Sequence, residues 1–312
     1  MNKENTYTIV LTHDVDHLSL RDYPLLSRYS MAFVKDALFT NFTKLLRGHI
    51  GIGTYIKSVL WGFALPAVTT GLVKDPMERC VQRILEIEEG YGVRSTFYFI
   101  PFKGTPGLEK EGVPASVHRA AAYDVTRHKD LLVSLEARGW EVGIHGINAH
   151  IGVGKAKEEL AVFKKLLPSK EKWGIRVHWL YQPPDLWKHL KEAGYYYDTT
   201  FGSNREVGFM EERYHPFKRD GLWELPLNIQ DGALLAKWNR DLSLRRAWEK
   251  IEALLETAKE KRAVVTVLWH NASFGPPRFW GALYRRIIEK GKKDGALFLT
   301  ALQAVEKVNA DG

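Results

Sequence analysis

With 312 residues, 45% of them hydrophobic and 26% charged, the chain has the composition of an ordinary soluble globular protein and the length for one large domain or two. A net charge of +8 suits an anionic partner, but the lysines and arginines are scattered and carry no nucleic-acid-module signature, so no nucleic-acid partner is expected. The lone cysteine, Cys80, excludes an intramolecular disulfide and any cysteine-based zinc cluster, and the longest uncharged run, the 16 residues Ser58 to Val73, falls short of the roughly 20 apolar residues a spanning helix needs.

In chain order, MNKENTYTIVLTHD runs directly into a first strand, YTIVLTH, rich in Val, Ile, Thr and Tyr. No long apolar core precedes it, so no signal peptide is read and a cytoplasmic location is expected. Residues 18–74 follow, far longer than a usual loop of about 4–6 residues, and predict an insertion with helices of its own. A helix near Asp75 is predicted, with Asp75 as N-cap, Pro76 in its first turn and Gly90 as its stop.

Strands STFYFI (95–100), EVGIH (141–145), IRVHWL (175–180) and YYDTT (196–200) come next, then LWELPL (222–227), AVVTVLW (263–269) and ALFLT (296–300). Helical patterns separate most of them. DLLVSLEARG closes on Gly139 and PPDLWKHLKEAG on Gly194; LSLRRAWEKIEALLETAKEK precedes the 263–269 strand and RFWGALYRRIIEKGKK follows it. Strands alternating with helices predict parallel βα units, and at this length a (β/α) barrel of seven to eight parallel strands closes them naturally. An open doubly wound sheet is the competitor; without GxGxxG or GxxxxGK[ST] after the first strand, its nucleotide-binding forms are disfavoured. The organisation read is a single barrel domain over 1–312 carrying the 18–74 insertion.

Barrels collect function at the C-terminal ends of their strands. The first strand ends in LTHDVDH, with Asp14 and Asp16 sharing a face. The 141–145 strand runs into IHGINAH, placing His145 at its end and His150 five residues on. Arg176 and His178 lie two apart, and His270 ends the 263–269 strand. Each residue alone is more simply a structural group. Together, unpaired charges on one barrel face are costly, and a divalent cation offsets them. Aspartate with histidines and no cysteine suits zinc or a related first-row metal, with cobalt, nickel or manganese as alternatives.

TIVLTHDVD, STFYFIP, GWEVGIHGINAH, GIRVHWL and VTVLWHN, in that order, resemble the polysaccharide deacetylase family (the NodB-homology hydrolases), over nearly the whole chain apart from 18–74. The resemblance implies a distorted (β/α) barrel and the removal of acetyl groups from N-acetyl sugars at a metal site. It implies Asp14 as catalytic base, Asp16, His145 and His150 as metal ligands, His270 as general acid and Arg176 as the residue that holds the base. Three features depart from the family pattern. Val15 separates the two aspartates, His145 and His150 are spaced i, i+5 rather than i, i+4, and no proline follows Arg176. Asn148 or His17 are the substitutes if His150 is not a ligand.

Amide hydrolysis needs a nucleophile, a charge sink and an acid for the departing amine. Asp14 is placed to take a water proton and His270 to protonate the leaving nitrogen. Asp231, in LPLNIQDG, is read either as a turn cap or as the group that keeps the His270 imidazole charged. Most tryptophans near the strand ends read as core, and Trp269 beside His270 is the first to check for sugar stacking. The leading function is therefore metal-dependent hydrolysis of a carbon–nitrogen bond in an N-acetylated carbohydrate. An allantoinase-like hydrolase of a small cyclic amide and a non-catalytic glycan-binding barrel are the alternatives. The 18–74 insertion is expected to be a lid or docking surface, and the basic flanks of 45–73 also suit peripheral contact with an anionic membrane.

Overall fold

The structure, a computed structural model, describes residues 7–311. Its strands are β1 (Thr8–Val15), β2 (Thr96–Phe99), β3 (Leu108–Lys110), β4 (Val113–Pro114), β5 (Glu141–Gly146), β6 (Gly174–Val177) and β7 (Tyr197–Asp198). They continue with β8 (Phe217–Arg219), β9 (Leu222–Glu224), β10 (Leu227–Gln230), β11 (Val264–Leu268) and β12 (Leu297–Leu299). The helices are α1 (Arg28–Lys35), α2 (Asn41–Leu46), α3 (Ile52–Thr69), α4 (Glu78–Tyr91), α5 (Lys129–Ala137) and α6 (Val153–Leu166). After them come α7 (Leu186–Ala193), α8 (Asp231–Leu235), α9 (Leu244–Lys261), α10 (Gly281–Asp294) and α11 (Ala301–Asp311).

The main sheet runs β10-β11-β1-β2-β5-β6-β7-β9-β8, parallel except for the β8–β9 hairpin. Its path places β9 and β10 towards opposite ends, yet only Leu225 and Pro226 separate them in the chain. The sheet therefore curls round until its ends meet, giving the barrel-like form. Backbone bonds from Leu225 to Asp198 and from Leu227 to Phe201 draw the seam together. β12 pairs with the first half of β1 and β2 with its second half, so β1 has neighbours along its whole length.

Strand β1 is buried throughout, and its side-chain period of two divides it between two environments. Ile9 and Leu11 join the large core between sheet and helices, whereas Val10 joins a smaller cluster with Tyr98, Tyr197 and Leu225. His13 also faces the helices: its Nδ1 lies 2.7 Å from the Trp269 carbonyl and its Nε2 2.9 Å from Glu88 of α4. Thr12 and Asp14 fall on the other face, with Arg176.

Three expected boundaries move. Helix α4 starts at Glu78 and stops at Gly92, whose φ of 61° is the left-handed turn, so Gly90 stays inside it. Asp75 instead braces the preceding turn, accepting from the Met77 and Leu20 amides at 2.7 and 2.6 Å. LWELPL is two strands, broken at Leu225–Pro226, because proline has no N–H to give the ladder. The 175–180 strand ends at Val177, and Trp179 and Leu180 both take left-handed φ values, 63° and 51°. Buried Arg119 fixes this turn by donating to the carbonyls of His178 and Ile147 at 2.8 and 3.1 Å.

Residues 18–74 are largely helical. The chain from α1 through a π-helical turn (Asp36–Thr40) and α2 packs antiparallel on α3, with Asn41 Nδ2 donating to Ser58 Oγ at 2.7 Å. A Cβ on Gly62 would lie 3.2 Å from Ala37 Cβ, which keeps the two rods in close approach. Asn41 also donates to the Pro277 carbonyl, and Lys44 to that of Leu235, both at 2.8 Å. These contacts lie just beyond β10 and β11, at the same end of the sheet as Asp14.

Candidate active site

The polar residues of five separated stretches meet at this end of the sheet. Asp16 Oδ1 lies 3.5 Å from His145 Nε2 and 3.6 Å from His178 Nδ1, and those two ring nitrogens are 2.7 Å apart. His145 Nδ1 is 2.9 Å from the Arg176 carbonyl, which can only accept, so Nδ1 carries the hydrogen and Nε2 presents a lone pair to the cluster. Asp16 Oδ1 is buried and has no hydrogen-bond donor. Burial would raise the Asp16 pKa, but the imidazoles of His178, His145 and His270 that face it outweigh this and hold the carboxyl well below its ordinary range. Burial, against the pull of Asp16, holds His178 neutral.

A triangle with edges of 2.7, 3.5 and 3.6 Å has a circumscribed radius of about 1.9 Å, close to zinc–nitrogen and zinc–oxygen bond lengths. One orphaned carboxylate oxygen and two facing imidazoles thus fit a first-row cation. Asp16, His145 and His178 are the one group of this kind among the described residues.

Two pairs flank the trio, one buried and one part-buried. Arg176 Nη1 donates to Asp14 Oδ1 at 2.8 Å and to Thr12 Oγ1 at 2.9 Å, while its Nε donates to the Thr199 carbonyl at 3.2 Å. Its guanidinium lies over the Tyr98 ring at 4.7 Å. Asp14 Oδ2 is left 3.5 Å from His145 Nε2, facing the trio. On the other side His270 Nδ1 donates to Asp231 Oδ1 at 2.6 Å. Asp231 Oδ2 accepts from the His270 amide at 3.0 Å and from Ser273 Oγ at 2.5 Å. Burial lowers the His270 pKa, but the charge and hydrogen bond of Asp231, with Asp16 and Asp14 beyond, overcome it and lift the value to about 9. His270 Nε2 faces Asp16 Oδ2 at 3.8 Å.

Asp14, Asp16, His145, Arg176, Asp231 and His270 therefore meet in one site. His150 stands apart: its Nε2 lies 3.2 Å from the Glu109 carbonyl, its ring packs on Tyr181 at 5.1 Å, and burial and Arg119 push its pKa down to about 4. Neither proposed substitute is in the trio. Asn148 Oδ1 accepts from the Leu108 amide at 2.8 Å, and His17 Nδ1 from the Tyr23 hydroxyl at 2.5 Å. The residue that sequence reasoning left without a role is His178. Its signal was present, two residues after Arg176, but its contact with His145, 2.7 Å across neighbouring strand ends, was not legible. Trp269 is fully buried against Tyr284, whereas Trp179, next to His178, is partly exposed.

No family model matches the sequence, and no curated protein matches it. Among solved structures, the chain is similar to a protein named as a polysaccharide deacetylase from Mycobacterium smegmatis, with TM-score 0.58 and 19% identity over 100% of this chain and 93% of that one. It is also similar to one so named from Pseudomonas aeruginosa PAO1, with TM-score 0.57 and 11% identity over 97% of this chain and 90% of that one. The chain has the fold of these proteins.

Proposed function

We propose that the chain hydrolyses a carbon–nitrogen amide bond with one divalent metal ion, and that its substrate is an N-acetylated sugar or glycan. The observation that carries this reading is the arrangement of Asp14–Arg176 and Asp231–His270 on either side of the Asp16–His145–His178 trio. Asp16, His145 and His178 would hold the cation, with zinc the first match to one carboxylate and two imidazoles. Bound there, it would polarise an acyl oxygen and make water acidic enough to ionise near neutral pH.

The chain's own residues supply the proton transfers. Arg176 engages only Asp14 Oδ1, so Oδ2 stays turned towards the trio, where it accepts the proton of the attacking water. Asp231 keeps the His270 imidazole charged through Nδ1, which leaves Nε2–H on the site side. That proton goes to the departing nitrogen, which leaves as a neutral amine rather than as a high-energy anion. Fold likeness to two proteins named polysaccharide deacetylases supports a carbohydrate as the acyl donor.

The test is acetate release from N-acetyl sugars and their oligomers by zinc-loaded protein. Asp14→Asn should keep its metal and lose about 10²–10⁴ in turnover, the usual share of a general base. Activity within a few fold of wild type would remove Asp14 from the mechanism. Hydrolysis of a cyclic amide with no acetate release from any sugar would move the substrate to that class.

A further inference from the structure

The helical hairpin between β1 and α4 is folded with its apolar side outward. Of the 17 large hydrophobic side chains exposed among the described residues, 12 lie between Leu25 and Val73, so the feature belongs to this segment and not to the surface at large. On α3 the buried stripe contains Ser58 and Gly62 as well as Leu65 and Val68. Ile52, Ile56, Leu60 and Phe63 face outward instead, at helical spacings of four, four and three that align them on one side. Its packing partner repeats the inversion: Asn41 and Lys44 are buried, whereas Phe39, Phe42 and Leu46 are exposed, two of them by more than two thirds. The polar side is the committed side, because Asn41 holds Ser58 and the Pro277 carbonyl while Lys44 holds the Leu235 carbonyl and Asp241. Rotating the hairpin to hide its apolar face would break its bonds to Pro277, Leu235 and Asp241.

Charge identifies what covers this face. Arg28, Lys35, Lys57 and Lys74 are exposed across the same segment, and Arg47, also exposed, is held by Asp241 at 3.1 Å. Its one acid from residue 25 to residue 74, Asp36, is taken by Lys237 and Thr40. A second copy docking through the same patch would set Arg28, Lys35, Lys57 and Lys74 against their counterparts, with the acids nearby, Asp36 and Asp241, already engaged. A bilayer with anionic headgroups meets both requirements, apolar depth and negative charge. No helix among the described residues is long and apolar enough to cross a membrane, so contact is with the surface.

We propose that this hairpin docks the protein on an anionic lipid bilayer, with the Ile52–Phe63 stripe of α3 and the Phe39–Leu46 side chains at the acyl boundary and the cations among the headgroups. The inference rests on the surface alone and stands whether or not the site is a deacetylase. The experiment is co-sedimentation of the full chain with vesicles of phosphatidylcholine, alone or mixed with phosphatidylglycerol, at low and high salt. The expected result is binding that requires phosphatidylglycerol and weakens with salt. Replacing Ile56, Leu60 and Phe63 together by serine should lower partitioning by about tenfold or more, with an unchanged circular dichroism spectrum. Reversing charge at Lys35 and Lys57 to glutamate should abolish the preference for phosphatidylglycerol. Absence of wild-type binding to either vesicle, or equal binding by wild type and both variants, would overturn the proposal. So would a dimer in sedimentation equilibrium that the triple serine variant dissolves, which would assign the patch to a second copy.

Discussion

At Asp14 one carboxylate oxygen is held by Arg176 and the other faces the site, whereas at Asp16, two residues on, both oxygens face imidazoles and one has no donor. Environment thus divides one residue type between the two roles proposed for them, proton acceptor and cation ligand. The same reasoning separates the histidines. His178→Ala is expected to abolish stoichiometric zinc, while His150→Ala, altering a ring that packs on Tyr181, keeps it; elemental analysis after gel filtration checks both. Equal loss in the two would return His150 to the ligand set. The acid on the far side carries a pH signature. With its folded pKa lifted to about 9 from an ordinary 6.5, charged His270 contributes stability that is whole below about pH 6.5 and lost as pH rises through 9. The acid catalysis proposed for His270 would fade over the same upper range. Asp231→Asn should therefore move the alkaline limb of kcat/KM to lower pH, and a limb that stays in place would detach Asp231 from His270.

Strand β6 shows how tightly an element is held to bring Arg176 and His178 to the site. A Cβ on Gly174, its first residue, would lie 1.9 Å from Tyr197 Cζ. Tyr197 cannot swing aside, since its hydroxyl donates to Glu141 at 2.7 Å and meets that of Tyr98 at 3.0 Å. Gly174→Ala is therefore expected to cost about 1–3 kcal/mol, the usual penalty of overpacking, read from urea denaturation. An unchanged midpoint would mean that β6 and β7 separate freely. The strands themselves were legible from their apolar runs. Their ends were not, because Val177 gives way to a turn that Arg119, far away in sequence, pins through the His178 carbonyl.

For the molecule as a whole, the trio exists only when β1, β5 and the turn after β6 are assembled side by side. A cation that binds there binds the folded chain and not the unfolded one. Zinc at about a hundred times its Kd should then add about 2.7 kcal/mol, or about 4 °C in Tm at this chain length. Differential scanning calorimetry with and without chelator measures it, and Asp16→Ala should erase the shift. A shift that survives in that variant would place the cation elsewhere.

The order of strands and helices, the parallel βα scheme and the polar ends of β1, β5 and β11 follow from local pattern, since periodicity and turn residues are written along the chain. Asp14, Asp16 and His145 were readable for the same reason: the period of two in a buried strand decides which side chains share a face. What pairs with them was decided in three dimensions. His178 meets His145 at 2.7 Å across neighbouring strand ends, a contact no local pattern writes, and His150 is drawn away to Glu109 and Tyr181. The outward apolar face of α3 is equally a tertiary decision, made where Asn41 and Lys44 find carbonyl partners on the barrel, because a helix with apolar residues all round does not specify which side it will bury.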